Sequence, residues 1–491
     1  MKSGPAPAAK PPTLMPGETD AGTEAEVEII VERGGFMSIL ATNHSLLPIL
    51  RLAVPTMIAM ILHSVLLAEE AALIGKMSAT NLAGAALVFP WLTLLGMMAA
   101  GGIGGGVASA IARSLGAGKK HEVIELVVHA VWLAGGIGFV LSAGLAIFSR
   151  SIFAWQGGTG EVLNVASFYG SITLGGGIFM WVANILVSVF RGFGNTLIPS
   201  KWNAVVTLVI ACIIPIAVQG WGPIPAFGVA GAAYVMVLYY FALTLVFTWQ
   251  LFKHEIGEGG RHSKVPFSWR HMGEILHVGG PSAFNTLLGV STQLIATAVA
   301  SKISESTLAA YGAVSRIEGL LMPFVFGIGS ALVPLVGMNV GAGEWGKVRH
   351  LAWTGAGLGF AVAGLVGLAM WIFPAATMEF FTHDAAAISA GVHYLHWSAW
   401  AYGFWGLGVG MTFSCQGARR PITSLVASIA RFVYVGVGGW WLMHSPSHGT
   451  SALGLIMGSS AIVFGLSAIA LSGPLLPDWL RFKKKKTVGA T

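Results

Sequence analysis

Residues 102–118 read GIGGGVASAIARSLGAG, and residues 327–343 read GIGSALVPLVGMNVGAG. Both open on one triplet, Gly102-Ile103-Gly104 and Gly327-Ile328-Gly329. Both close on another, Gly116-Ala117-Gly118 and Gly341-Ala342-Gly343, with no gap in the alignment. Two triplets held at one offset mark an internal repeat. Further landmarks keep the same order. Pro55 pairs with Pro281, Leu82-Ala83 with Leu308-Ala309, and Phe190, Gly194 and Pro199 with Phe413, Gly417 and Pro421. The chain reads as two similar halves.

The surroundings of the repeat are apolar. Of 491 residues 55% are hydrophobic and 10% charged, against roughly 25% charged in a soluble domain. So few charges cannot cover a water-soluble fold, whereas a lipid-facing surface needs none. The 67 glycines suit helices that pack closely in a bilayer. Twelve apolar segments follow, at 47–75, 82–111, 123–148, 162–189, 203–220, 227–252, 273–301, 307–338, 350–373, 386–413, 422–443 and 452–476. Each is long enough for the ~20 residues of a spanning helix. Pro215 interrupts the fifth, and Pro223 and Pro225 follow it. The predicted fold is an all-α polytopic membrane protein with twelve transmembrane helices in two six-helix lobes. Six is even, so both halves enter the membrane in one orientation and their pseudo-twofold axis runs along the membrane normal.

Basic residues alternate between the loops. Arg113, Lys119, Lys120, Arg191, Lys201, Lys253, Arg261, Lys264, Arg270, Lys347, Arg349, Arg419 and Arg420 fall on one side; the other offers little beyond Lys76, Arg150 and Lys302. This asymmetry predicts an inner-membrane protein with both termini cytoplasmic. The net charge of +7 is spread through these clusters and forms no nucleic-acid patch. Residues 1–44, Pro/Ala-rich and then acidic, read as a disordered cytoplasmic tail without a secretory signal. The predicted divisions continue with a first lobe at 45–254, a linker at 255–271, a second lobe at 272–476 and a basic tail at 477–491. Cys212 and Cys415 lie far apart in apolar segments and read as small buried side chains, neither a disulfide nor a metal pair.

Several of these stretches together resemble the multidrug and toxic compound extrusion (MATE) transporters, from about Leu47 to Leu471. They are Leu52-Ala53-Val54-Pro55, the acidic residue five before Gly75, Leu115-Gly116-Ala117-Gly118-Lys119, Arg191-Gly192-Phe193-Gly194-Asn195-Thr196, and Val336 to Gly343. The resemblance implies alternating access and export of amphipathic, often cationic compounds in exchange for H⁺ or Na⁺. It also implies that a carboxylate in the first helix takes the coupling ion. By position that residue is Glu70, where the family more often has Asp. Two further acidic positions of the family are Ile214 and Gly289 here, so the expectation is protonation of one carboxylate rather than an oxygen cage for Na⁺.

Counting ~1.5 Å per residue from Arg51 places Glu70 roughly 28 Å along its helix, in the outer half of the bilayer. Glu69 is adjacent, but neighbours differ by about 100° around a helix, so only one can face a cavity. Both stand as candidate ion-coupling residues, with the bland alternative of two hydrated glutamates at a helix end. Arg316 and Glu318 read as structural charges satisfied within the bundle, and Arg431 as a packing or snorkelling residue. His63 and His129 read as satisfied core histidines. His393 and His396 share a helix face but lack the further ligands of a metal site. Asn184, Asn285, Tyr402, Trp405 and Trp91 are candidate substrate-cavity residues, the aromatics through stacking on a cation; packing or an interfacial belt also explains them. Gly101 to Gly106 lack the strand and the Gly-Lys-Ser/Thr ending of a phosphate loop.

These residues predict a secondary exporter of small molecules, without cofactor, metal or nucleic-acid partner, monomeric among membrane lipids and coupled to H⁺ rather than Na⁺. A flippase for lipid-linked sugars would need a basic central cavity. A membrane-embedded transferase would need clustered acids or a His/Asp pair at depth, and a scaffold would transport nothing.

Overall fold

The computed structural model describes residues 46–223, 225–253, 265–444 and 449–475. Both tails and most of the 255–271 linker lie outside them. Among the described residues the chain is helical without strands, and ten helices are long and apolar enough to cross a membrane. The bent pair Gly160–Gly175 with Gly177–Gly192 makes an eleventh span, and the broken pair Ala385–Ser398 with Tyr402–Gly417 takes the remaining place in the two-lobe order. The first lobe holds α1 (Leu46–Met77), α2 (Ala79–Gly116), α3 (Lys120–Ile147), α4 (Gly160–Gly175 with Gly177–Gly192), α5 (Leu197–Gln219) and α6 (Gly228–Leu251). The second holds α7 (Trp269–Ile303), α8 (Glu305–Gly341), α9 (Trp345–Ile372), α10 (Ala385–Ser398 with Tyr402–Gly417), α11 (Pro421–His444) and α12 (Gly449–Leu471).

The repeat extends to the irregular features. α4 bends by 42° after Gly175, and α10 is broken at the matching place by a 3₁₀ turn, Ala399–Ala401. Short helices Ser149–Trp155 and Pro374–Glu379 precede the two broken segments. Equivalent serines start α2 and α8: Ser78 Oγ accepts from Asn81 N–H, and Ser304 Oγ accepts from Thr307 N–H, each at 3.0 Å. An N-cap hydroxyl satisfies an amide that the first helical turn leaves unpaired. The closing triplets end these helices in the left-handed region, Gly118 at φ 75° and Gly343 at φ 77°, a conformation that glycine adopts without steric cost. The twin Gly-Ala-Gly triplets are therefore helix ends.

They are also the seam between the lobes. A Cβ on Gly116 would stand 2.0 Å from the Met338 carbonyl oxygen, and one on Gly341 would stand 2.1 Å from that of Arg113. Gly116 and Gly341 are repeat mates, as are Arg113 and Met338, so α2 and α8 cross backbone to backbone about the pseudo-twofold axis. Only glycine permits that approach. Ser109 Oγ donates to the Gln416 carbonyl at 2.6 Å across the same seam. Charges then tie its basic end. Arg113 Nη2 meets Glu274 Oε1 at 2.9 Å, Arg419 Nη2 meets Glu274 Oε2 at 3.5 Å, and Arg270 Nη2 meets Glu122 Oε1 at 3.2 Å. Each of these contacts lies in the half of the bundle nearer the basic loops.

Two expectations change. α5 runs unbroken through Pro215 from Leu197 to Gln219. Cys212 is exposed, while Cys415 is buried, and both are free. Cys212 sits on an outward face shared with Leu208 and Val209, which are 59% and 52% exposed. In a bilayer such a face meets lipid, so an apolar side chain there needs no protein cover.

Candidate functional site

Glu70 is buried, with 5% of its surface exposed, on the inward face of α1. Its Oε1 accepts a hydrogen bond from the Tyr169 hydroxyl at 2.7 Å, and Tyr169 is itself buried on the first half of α4. Glu69 points elsewhere: it is partly exposed and makes no hydrogen bond or ion pair among the described residues. The helix geometry that forbids both from facing one way thus turns Glu70 inward.

Hydroxyls, one amide and one imidazole make polar contacts among α1, α5 and α6. From α6, Tyr239 lies 3.4 Å from both Asn203 Oδ1 and Thr207 Oγ1 of α5. Also from α6, Tyr240 reaches His63 Nε2 of α1 at 3.4 Å. No lysine or arginine forms an ion pair with Glu70 among the described residues. A carboxylate held in the bilayer without a countercharge is costly, and a bound proton or cation relieves that cost.

The second lobe holds a counterpart of different make-up. Glu318 of α8 is partly buried and accepts from the Tyr402 hydroxyl at 2.7 Å, at the start of the second half of α10. Tyr311 and Tyr394 lie edge to face with ring centres 5.7 Å apart. Arg431 of α11 is close enough to interact with the Glu318 charge. Its guanidinium lies 5.8 Å from the Phe464 ring centre, and its Nε stands 3.4 Å from Ser460 Oγ. Arg431 is therefore a packed internal cation. Arg316, two residues before Glu318, is exposed and forms no ion pair among the described residues; residues two apart on a helix do not face each other.

The candidate cavity residues do not converge. Tyr402 is engaged by Glu318. Trp91 packs against the first lobe's core, and Trp405 against Ala356, Met411, Ala427 and Phe464 in the second. Asn184 Nδ2 donates to the Met180 carbonyl of its own helix at 2.9 Å. Asn285 is partly exposed and makes no hydrogen bond among the described residues. Ile214, at a family acidic position, is fully buried, and Gly289, at the other, faces open space. No cluster of three or more potential metal ligands occurs among the described residues. A cleft of about 560 Å³ at the basic end, lined by Lys119, Lys120, Glu122, Glu125, Arg270 and His271, is remote from Glu70.

The residues that sequence reasoning missed are Tyr169, Tyr240 and the open side of His63. Tyr169 and Tyr240 reach the site from other helices, and no spacing in the sequence announces that. His63 did carry a signal, since it precedes Glu70 by one heptad and so shares its face.

A family model described as MatE matches residues 55–216 and again 281–442, once in each lobe. The chain belongs to the MatE family. The MatE match covers both halves of the repeat, in agreement with the twelve-helix, two-lobe fold. Among relatives, a probable multidrug resistance protein NorM from Thermotoga maritima is 26% identical over 343 residues, which are 69% of this chain and 73% of that protein. A FAD transporter from Shewanella oneidensis is 23% identical over 363 residues, 73% of this chain and 79% of the relative. The fold is similar to that of a multidrug resistance MATE family transporter in an outward-facing conformation. The TM-score is 0.77 at 22% identity, over 87% of this chain and 94% of that one. This MatE chain is an integral membrane protein of a transporter family.

Proposed function

We propose that this MatE protein exports amphipathic, cationic small molecules in exchange for protons. It works from the inner membrane with its basic end in the cytoplasm. The observation that carries the reading is Glu70: an inward-facing carboxyl with a tyrosine donor and no countercharge. With Tyr169 on Oε1, Oε2 is left to take a proton. A proton and a substrate cation answer the same need at Glu70, so each excludes the other. That differential affinity is what couples the two fluxes. One proton crossing 100 mV supplies about 2.3 kcal/mol for uphill export.

The lobes then alternate about the glycine seam. Closure at the basic end exposes Glu70 to the outer side, where a proton displaces the substrate. Opening of the Arg113–Glu274 contact returns the site to the cytoplasm. The test is ethidium transport in proteoliposomes under an imposed pH gradient or an imposed Na⁺ gradient. The expected result is transport driven by the pH gradient and lost in Glu70→Gln. Transport driven by Na⁺ alone, or retained in Glu70→Gln under a pH gradient, contradicts the reading.

A further inference from the structure

His63 and His129 both sit on apolar stretches, and the structure treats them differently. His129 uses both ring nitrogens, Nδ1 with the Glu125 carbonyl at 2.7 Å and Nε2 accepting from Ser268 N–H at 2.8 Å. His63 does not. Its Nε2 lies 3.4 Å from the Tyr240 hydroxyl and its ring stacks on Tyr239 at 5.4 Å and 14°. Its Nδ1 is buried without a hydrogen-bond partner. The expectation of a satisfied core histidine therefore fails at His63. His271 Nδ1 is also buried without a partner, but its Nε2 meets the Glu125 carboxylate at 3.1 Å, whereas His63 has only the Tyr240 hydroxyl.

His63 is also well placed. It lies on the Glu70 face of α1, about two turns or ~10 Å nearer the basic end. Tyr240 of α6 is 3.4 Å from His63 Nε2 and interacts electrostatically with Glu70, whose hydrogen-bond donor is Tyr169. Other groups face this space as well. Tyr239 comes from α6, Asn203 and Thr207 from α5, and Tyr169 from α4, with Glu69 beside Glu70 on α1. α8 meets α1 through Gly327 against Met57, and α2 meets it through Leu82 against Gly75, so these contacts bring no charge.

We infer that His63 is the inner proton station of the Glu70 site, reached through Tyr240. The inference rests on the proton-coupling reading of Glu70. In the transfer, the Glu70 O–H proton passes to the Tyr240 oxygen as the Tyr240 O–H proton passes to His63 Nε2. The products are a carboxylate, a neutral phenol and an imidazolium, and one proton has moved toward the basic end. Imidazole suits the task because its ring nitrogens can accept a proton and release it again.

The test uses the full chain in proteoliposomes with ethidium as probe and compares wild type, His63→Gln, Tyr240→Phe and Glu70→Gln. Loss of the relay should slow pH-driven transport about tenfold or more in both His63→Gln and Tyr240→Phe, with ethidium binding to the solubilised protein held within about twofold. The pH profile of the residual transport should also shift from that of wild type. Tyr240→Phe keeps the ring packing and carries the test should His63→Gln fail to fold. Wild-type rates and an unmoved pH profile in Tyr240→Phe or a folded His63→Gln overturn the relay. Parallel loss of ethidium binding and of thermal stability in Tyr240→Phe also overturns it. Failure of the two readings is distinguishable. If Glu70→Gln still transports under a pH gradient, the coupling reading falls; if Glu70→Gln is inactive while the relay variants behave as wild type, only the relay falls.

Discussion

In the first lobe Glu70 meets Tyr169, with no basic side chain paired to it; in the second, Glu318 meets Tyr402 with Arg431 in electrostatic reach. The two lobes thus share a device, a carboxyl bonded by a tyrosine from the bent helix, and differ in its countercharge. The difference teaches which carboxyl can do transport work. One that already feels a resident guanidinium gains less from a further cation. One without a countercharge must recruit it, and recruitment is what a coupled exporter needs.

That contrast can be broken in several ways. The largest expected effect is on pH dependence. Ethidium binding should weaken toward acid pH by up to about tenfold per unit where one proton competes at Glu70. Glu70→Gln should bind with a flat profile and Glu318→Gln with a wild-type slope; isothermal titration at several pH values reads this directly. Next comes the second lobe's own balance. Arg431→Met strands Glu318 and should lower stability by about 2 kcal/mol, less than the 3–5 of a fully buried pair because Glu318 is only partly buried. Adding Glu318→Gln should recover part of that loss, and thermal melts of the three variants form the cycle that checks it.

The seam, where the lobes are alike, should respond alike. Gly116→Ala and Gly341→Ala each force a Cβ into a facing backbone carbonyl. Each should cost about 1–3 kcal/mol in thermal denaturation, with similar values for the two. Unequal losses would show that the pseudo-twofold relation of the contacts is not energetic. The smallest effect belongs to Arg113→Gln. The pair with Glu274 is partly exposed, so its loss should shift the lobes toward opening at the basic end by about 1 kcal/mol. Distances between spin labels on α2 and α8 report that population.

Much of the fold is legible in the sequence because its signals are local or periodic. Twelve apolar runs, the loop charges and the paired Gly-Ala-Gly triplets state the spans and the repeat. The triplets even mark the closest interlobe contact, since a helix end that demands glycine and a seam that demands glycine coincide at Gly116 and Gly341. The site is less legible. Glu70 can be placed by counting along one helix, yet its partner Tyr169 is about a hundred residues away on a bent segment. The aromatic candidates Trp91 and Trp405 pack partly buried against the cores of their lobes, since a large ring serves a core as well as a cavity. The electrostatic influence of Arg431 on Glu318 is invisible in the sequence because it joins α8 to α11.

The most direct measurement sets Glu70→Gln beside Glu318→Gln in matched proteoliposomes, with ethidium transport followed under one imposed pH gradient. An uncompensated first-lobe carboxyl as the coupling group predicts that Glu70→Gln loses gradient-driven transport by about a hundredfold or more, while Glu318→Gln keeps most of it. Loss in Glu318→Gln with transport retained in Glu70→Gln, or equal loss in both, would contradict the account.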